Sequence, residues 1–168
     1  MIVRRLGPDD WRANREIRLE ALADSPGSFF TTLAEAQART DEEWRAMLAD
    51  PDLAIFGLFD GDALAALTAI YIDKADASGR TAGLAMSFVR PAWRGRGLAK
   101  RLYAARLAWA RTRGVERVQV SHRASNEPSR RAMLAAGFRP TGSYPYRWPD
   151  GVEEDSLTYE LLLGEEPA

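Results

Sequence analysis

The sequence predicts one α/β domain: a mixed sheet of about seven strands with helices packed on it, in the order β-α-α-β-β-β-α-β-α-β-β. Three observations lead there. Short apolar runs bounded by turn residues alternate with longer runs of helical spacing. The 168 residues, 46% of them hydrophobic, suit one core, and no repeat, low-complexity tract or linker divides 1–168. Finally, the segment V-R-P-A-W-R-G-R-G-L-A-K-R-L, residues 89–102, reads as a glycine-broken crossing from a strand into a long helix.

The elements follow in order. Residues 2–5 form a first strand, and G-P-D-D at 7–10 supplies turn residues and acidic groups for the start of a helix that runs to about Ala23. D-S-P-G-S at 24–28 ends it. Thr40 and Glu43 match a capping box, opening a short helix with Trp44, Met47 and Leu48. Residues 53–59 and 63–72 read as strands joined at Asp60-Gly61, a hairpin signal, and 73–80 as a polar loop. A strand over 81–89 is stopped by Pro91, which lacks an N–H and keeps Arg90 extended. A helix over 98–113 closes at Gly114, a strand covers 115–121, and a helix over 126–136 closes at Gly137. The last strands are expected over 138–144 and 156–163, with P-Y-R-W-P-D-G in the loop between them.

Composition removes several chemistries. Without cysteine there is no disulfide, no thiolate metal site and no cysteine nucleophile; with the single histidine His122, a histidine metal cluster is not expected. The 23 Lys plus Arg are balanced by 24 Asp plus Glu, a net charge of -1, which lacks the field of a general nucleic-acid binder. No run approaches the ~18 apolar residues of a membrane span, and the N-terminus shows no apolar signal region. A soluble cytoplasmic protein is expected.

The crossing at 89–102 has three readings. Gly95 and Gly97 permit left-handed backbone and close approach of a ligand, and the N–H groups at the start of the next helix, with its dipole, favour an anion such as a pyrophosphate. A capped turn with solvated arginines is the plain alternative. A nucleic-acid segment using Arg90, Arg94, Arg96, Lys100 and Arg101 is another. A P-loop is excluded, because no Ser or Thr follows Lys100.

A second motif bears on the choice. R-G-R-G-L-A, with Arg94, Gly97 and Ala99 at its fixed positions, resembles the first signature of the Gcn5-related N-acetyltransferases (GNAT). N-E-P-S-R-R-A-M-L-A-A-G-F, from Asn126 and Ser129 to Gly137-Phe138, resembles the second. The element order is also similar to that family's. The resemblance implies a sheet splayed between strands 4 and 5, acetyl-CoA as donor, a primary amine on a small molecule or peptide as acceptor, and no metal. It further implies that backbone groups of Phe88 and Val89 pair with the pantetheine arm. The N–H groups of Gly95, Arg96, Gly97, Leu98, Ala99 and Lys100 would hold the pyrophosphate, with help from the Arg94 and Arg96 side chains. Asn126 would reach the pantetheine or a water, and Ser129 would line the far side of the groove. Direct attack without an acyl-enzyme agrees with the lack of cysteine. Family members often dimerise, so a homodimer is a further expectation.

Two positions depart from the family's pattern. Its usual tyrosine acid falls on Met133, and its frequent glutamate in the strand before the glycine loop falls on Gly83. An acyl-CoA-binding module without catalysis therefore stands as an alternative. The candidate replacements are His122, in phase with Val118 and Val120, and Tyr144. Phe29, Phe30, Tyr146 and Trp148 are candidate walls of an acceptor pocket, and Glu35 a candidate partner for an ammonium; each also has a plain packing or surface role open to it.

Overall fold

The protein is described by a computed structural model covering residues 1–164. Among the described residues, seven strands form one sheet in the order β1-β2-β3-β4-β5-β7-β6. They are β1 (Ile2–Arg5), β2 (Leu53–Asp60), β3 (Ala63–Ile72), β4 (Thr81–Val89), β5 (Arg117–Arg123), β6 (Arg139–Arg147) and β7 (Glu153–Leu162). Neighbours are antiparallel except β4 and β5, which are parallel.

Helices cover both faces. On one, α1 (Trp11–Asp24), α2 (Leu33–Gln37) and α3 (Asp41–Ala49) bury Ile17, Leu22, Trp44 and Leu48 against Ile55, Leu67 and Phe88. On the other, α4 (Leu98–Thr112) and α5 (Glu127–Ala135) bury Tyr103, Ala110 and Met133 against Ile70, Leu84, Val118 and Tyr159. The strands between are sealed on both sides, which is why β2 and β3 read as continuous apolar runs.

Two features of the sheet position the site. β4 and β5 pair only from Thr81↔Arg117 to Gly83↔Gln119, after which both strands continue without each other, so the sheet is splayed between strands 4 and 5. Next to this opening, the β3–β4 register slips by one residue, leaving Met86 and Ser87 without β3 partners and Met86 left-handed at φ 60°. This is a β-bulge: an extra residue that re-aims the strand.

Besides shifts of two or three residues in β5 and β7, the sequence reading differs from the structure in three local places. A separate α2 lies between α1 and α3, opened by a Thr32–Glu35 capping box of the same form as Thr40–Glu43. The hairpin turn is Gly61-Asp62, since Asp60 already pairs with Ala63. Pro145, Tyr146 and Arg147 belong to β6 and not to a loop; two prolines are tolerated there because β6 is an edge strand.

Candidate active site

Where β4 and β5 part, a cleft of about 1100 Å³ opens, lined by residues from both faces of the sheet. At its mouth the chain leaves β4 through Pro91 and turns at Gly95 and Gly97, with φ 75° and 69°. Both are left-handed, a conformation that strains any residue with a Cβ. Gly97 is the N-cap of α4 and offers no side chain, so no cap takes up the N–H groups of the first turn. Gly95, Arg96, Gly97, Leu98 and Ala99 all line the cleft, while Lys100 is exposed and stands outside its lining.

The arginines of this segment are largely occupied. Arg94 donates to the Val89 carbonyl (2.9 Å) and to Asp24 (2.7 Å), and Arg96 turns back to the Ala92 carbonyl (3.0 Å). Arg90 is held by Glu16, Glu20 and the Leu64 carbonyl, and Arg101 by the Met1 carbonyl. Arg94 and Arg96 line the cleft, but their guanidinium groups are already engaged, whereas no side chain caps the first-turn N–H groups of α4.

Across the cleft, Asn126 caps α5 by accepting the Ser129 N–H at 3.2 Å, and both residues line the cavity. Met133, one turn further, also lines it and is buried. A thioether there can pack against a ligand but holds no proton to give.

Two hydroxyls occupy the neighbourhoods of the two departures. His122 is buried in the cleft wall with both ring nitrogens engaged. Nδ1 faces the Arg123 carbonyl at 2.6 Å, which can only accept, so Nδ1 carries the proton; Nε2 then accepts the Tyr159 hydroxyl at 3.0 Å. Tyr159 packs in the same cluster as Met133 and lines the same cavity. On the opposite face, Tyr71 pairs in register with Gly83 and lays its ring over it: a Cβ at position 83 would fall 2.3 Å from the phenol. Burial, first, and then the charge of Asp73 raise the Tyr71 pKa, so it remains a protonated donor. Neither tyrosine was reachable by motif, because each is brought in by strand pairing.

At the bulge, Ser87 shares a hydrogen with Thr68 (2.9 Å) and accepts from Arg106 (3.0 Å). Burial lowers the Arg106 pKa to about 10. With a guanidinium and a hydroxyl as its partners, Ser87 has no base to activate it as a nucleophile.

The other expected wall residues divide. Phe29 and Phe30 line the cleft. Tyr146 and Trp148 pack on Phe30 (ring centroids 5.0 and 5.3 Å) and Tyr144 on Tyr146, but these three buttress the lining from outside it. Glu35 also stands outside: its carboxylate accepts the Thr32 N–H and hydroxyl in the α2 capping box. Those bonds hold its pKa below the usual carboxylate range.

Arg123, at the end of β5, ties this region together by donating to Glu154, Asp150 and the Gly27 carbonyl. Its hydrogen bonds lower the pKa of both carboxylic acids. A depressed carboxylate pKa stabilises the fold above the unfolded value, near ~4, and that contribution is lost as pH falls through the folded one. Arg123→Ala is expected to lower Tm by about 5 °C at pH 7 in a thermal scan, and to do so much less at pH 3.

Against this geometry, the model of the Acetyltransferase (GNAT) family matches residues 16–138, most of the chain. The chain belongs to the GNAT acetyltransferase family. Its fold is that of solved relatives. Over 99% of this chain and 96% of theirs, it superimposes on yncA, an acetyltransferase candidate from Salmonella typhimurium solved with acetyl-CoA, at TM-score 0.83 and 19% identity. A ribosomal-protein-alanine N-acetyltransferase from Brucella melitensis gives 0.82 at 19% identity, covering 97% and 100%. RimL, a ribosomal L7/L12 alpha-N-protein acetyltransferase in complex with coenzyme A, gives 0.78 at 16%, covering 98% and 94%. No curated protein matches the chain by sequence at a significant level. Among the described residues of this GNAT chain, no group of three or more His, Asp or Glu is placed to hold a metal ion, and no helix is long and apolar enough to cross a membrane.

Proposed function

We propose that this GNAT protein transfers the acetyl group of acetyl-CoA to the primary amine of a small acceptor, by direct attack in a ternary complex. The observation that carries this reading is the cleft between the diverging β4 and β5, with two left-handed glycines and an uncapped helix N-terminus at its mouth. A pantetheine arm has the amide groups to pair along the open edge of β4, around Phe88. A pyrophosphate has the charge to match the N–H groups from Gly95 to Lys100. The Val89 carbonyl already accepts from Arg94, so Arg94 serves as a brace for the strand end and not as a primary phosphate ligand. Asn126 and Ser129 form the far wall.

The tyrosines supply the proton handling that Met133 and Gly83 lack. An acceptor ammonium of pKa ~10.4 must lose a proton before attack. The Tyr71 hydroxyl, on the acceptor face, orients a water that carries this proton away. Tyr159, oriented by His122 Nε2, gives its hydroxyl proton to the departing thiolate and is reprotonated by solvent. Unpartnered backbone at the Met86–Ser87 bulge is suited to the oxyanion. Ser87 has no base, which favours direct transfer over an acyl-enzyme.

A thiol-release assay over a panel of primary amines, run beside CoA and DNA titrations, tests the reading. Saturable CoA binding and amine-dependent thiol release are expected. CoA binding with no amine faster than water would favour a binding module, and salt-steep DNA binding without CoA binding would favour a nucleic-acid domain.

A further inference from the structure

The acceptor face of the cleft holds a positive charge that acetyl transfer itself does not use. Arg18, on α1, lines the cavity while only 4% exposed. Its Nε and Nη1 are buried without a hydrogen-bond partner, and it forms no ion pair among the described residues. Its guanidinium carbon lies 4.6 Å from the centre of the Phe29 ring. Other arginines are not left so: the buried Arg106 has Ser87, and the partly buried Arg123 has two carboxylates.

A second cation adds to it. Arg39, just past α2, lines the same cavity and likewise forms no ion pair among the described residues. Burial, and then repulsion from Arg39, pull the Arg18 pKa down to about 10, so Arg18 still carries its charge at neutral pH. Two acidic groups lie nearby. Glu35, one turn before Arg39, is committed to Thr32, and Asp73, on the Tyr71 side of the cavity, accepts the Ala75 N–H in its own turn. Neither neutralises Arg18. A buried, unpaired guanidinium is costly unless an anion completes it, and its fork is matched to a carboxylate.

We infer that the acceptor carries a carboxylate of its own, received by Arg18 and Arg39, so that the substrate class is a free α-amino acid or a close analogue. The inference rests on the acetyltransferase reading and narrows it. Phe29, Met47, Leu53 and Tyr71 also line the cavity and suit an apolar side chain. The placement also accounts for Glu35 outside the cleft: the acceptor's charge to be matched is negative, while its amine must be neutral to react.

The test compares each of a set of free L-amino acids with its own α-amide, as acceptors with saturating acetyl-CoA. The best acceptor is expected to be an acid, with kcat/KM roughly ten- to hundredfold above its amide, the range of one or two charge-assisted hydrogen bonds. Arg39→Gln is expected to shrink that ratio about tenfold through KM, and Arg39→Lys to retain most of it. Amides or polyamines used as well as acids would overturn the inference while acetyl transfer stood. So would a loss of CoA affinity in Arg39→Gln equal to the loss in KM, which would assign the cations to the donor. A binding arm is independent of turnover: calorimetry on the CoA complex with N-acetyl-L-leucine and its amide. Tighter binding of the acid, lost in Arg39→Gln, supports the carboxylate site even if no amine is acetylated; equal binding of acid and amide refutes it.

Discussion

Gly97→Val raises the dissociation constant for CoA by about a hundredfold or more while leaving a folded chain. The reason is local. Gly97 sits at φ 69° as the N-cap of α4, and an added Cβ would meet no atom within 4 Å, so the protein itself has room for it. The folded state bears only the strain of a left-handed β-branched residue, on the order of 1–3 kcal/mol. The ligand bears the rest, because the side chain would fill the space through which a pyrophosphate approaches the first-turn N–H groups. Calorimetric titration with CoA and a thermal scan separate the two effects. Arg96→Ala is expected to lose less affinity than Gly97→Val, since the Arg96 side chain is turned toward the Ala92 carbonyl. The reverse order would mean that side-chain charge and not backbone holds the phosphates.

Tyr159→Phe is expected to lower kcat by about a hundredfold, within the usual range for losing a general acid, with little change in the CoA dissociation constant. The hydroxyl that disappears is the one bonded to His122 Nε2, in the cluster that also contains Met133. Because the two side chains act as one unit, His122→Gln should lose a similar amount and the double variant little more than either alone, as groups that work together are strongly non-additive. Removing the hydroxyl also leaves a buried imidazole nitrogen without its donor, so a stability loss of about 1–3 kcal/mol accompanies it. Tyr144→Phe, altering an exposed residue outside the cleft lining, should cost less than about threefold.

The parts of this protein that depend on local chemistry were legible in its sequence. Pro91, Gly95 and Gly97 announce the turn at the mouth, and the Thr40–Glu43 box announces α3, because each acts through its own backbone or that of its neighbours. The same logic would have found α2 from Thr32 and Glu35. What could not be read was set by pairing across distance. The bulge at Met86 needs the β3–β4 register, the ring of Tyr71 reaches Gly83 only because those two residues pair, and Tyr159 meets His122 across β5 and β7. Arg18 is a polar position on an amphipathic helix until the fold shows it buried at the cleft. His122 lines the cleft, and the phase with Val118 and Val120 made it a candidate, but its two committed nitrogens appear only in three dimensions.

The proposed site puts acetyl-CoA in the gap between β4 and β5, with its pyrophosphate on the N–H groups that follow Gly95. The most direct measurement is the change in backbone amide NMR shifts as CoA is titrated into the labelled protein. Saturable shifts are expected that are largest at Gly95, Gly97, Leu98 and Ala99 and extend to Phe88 and Asn126. Saturable binding that leaves those amides unmoved, or moves chiefly the loop at residues 73–80, would contradict it.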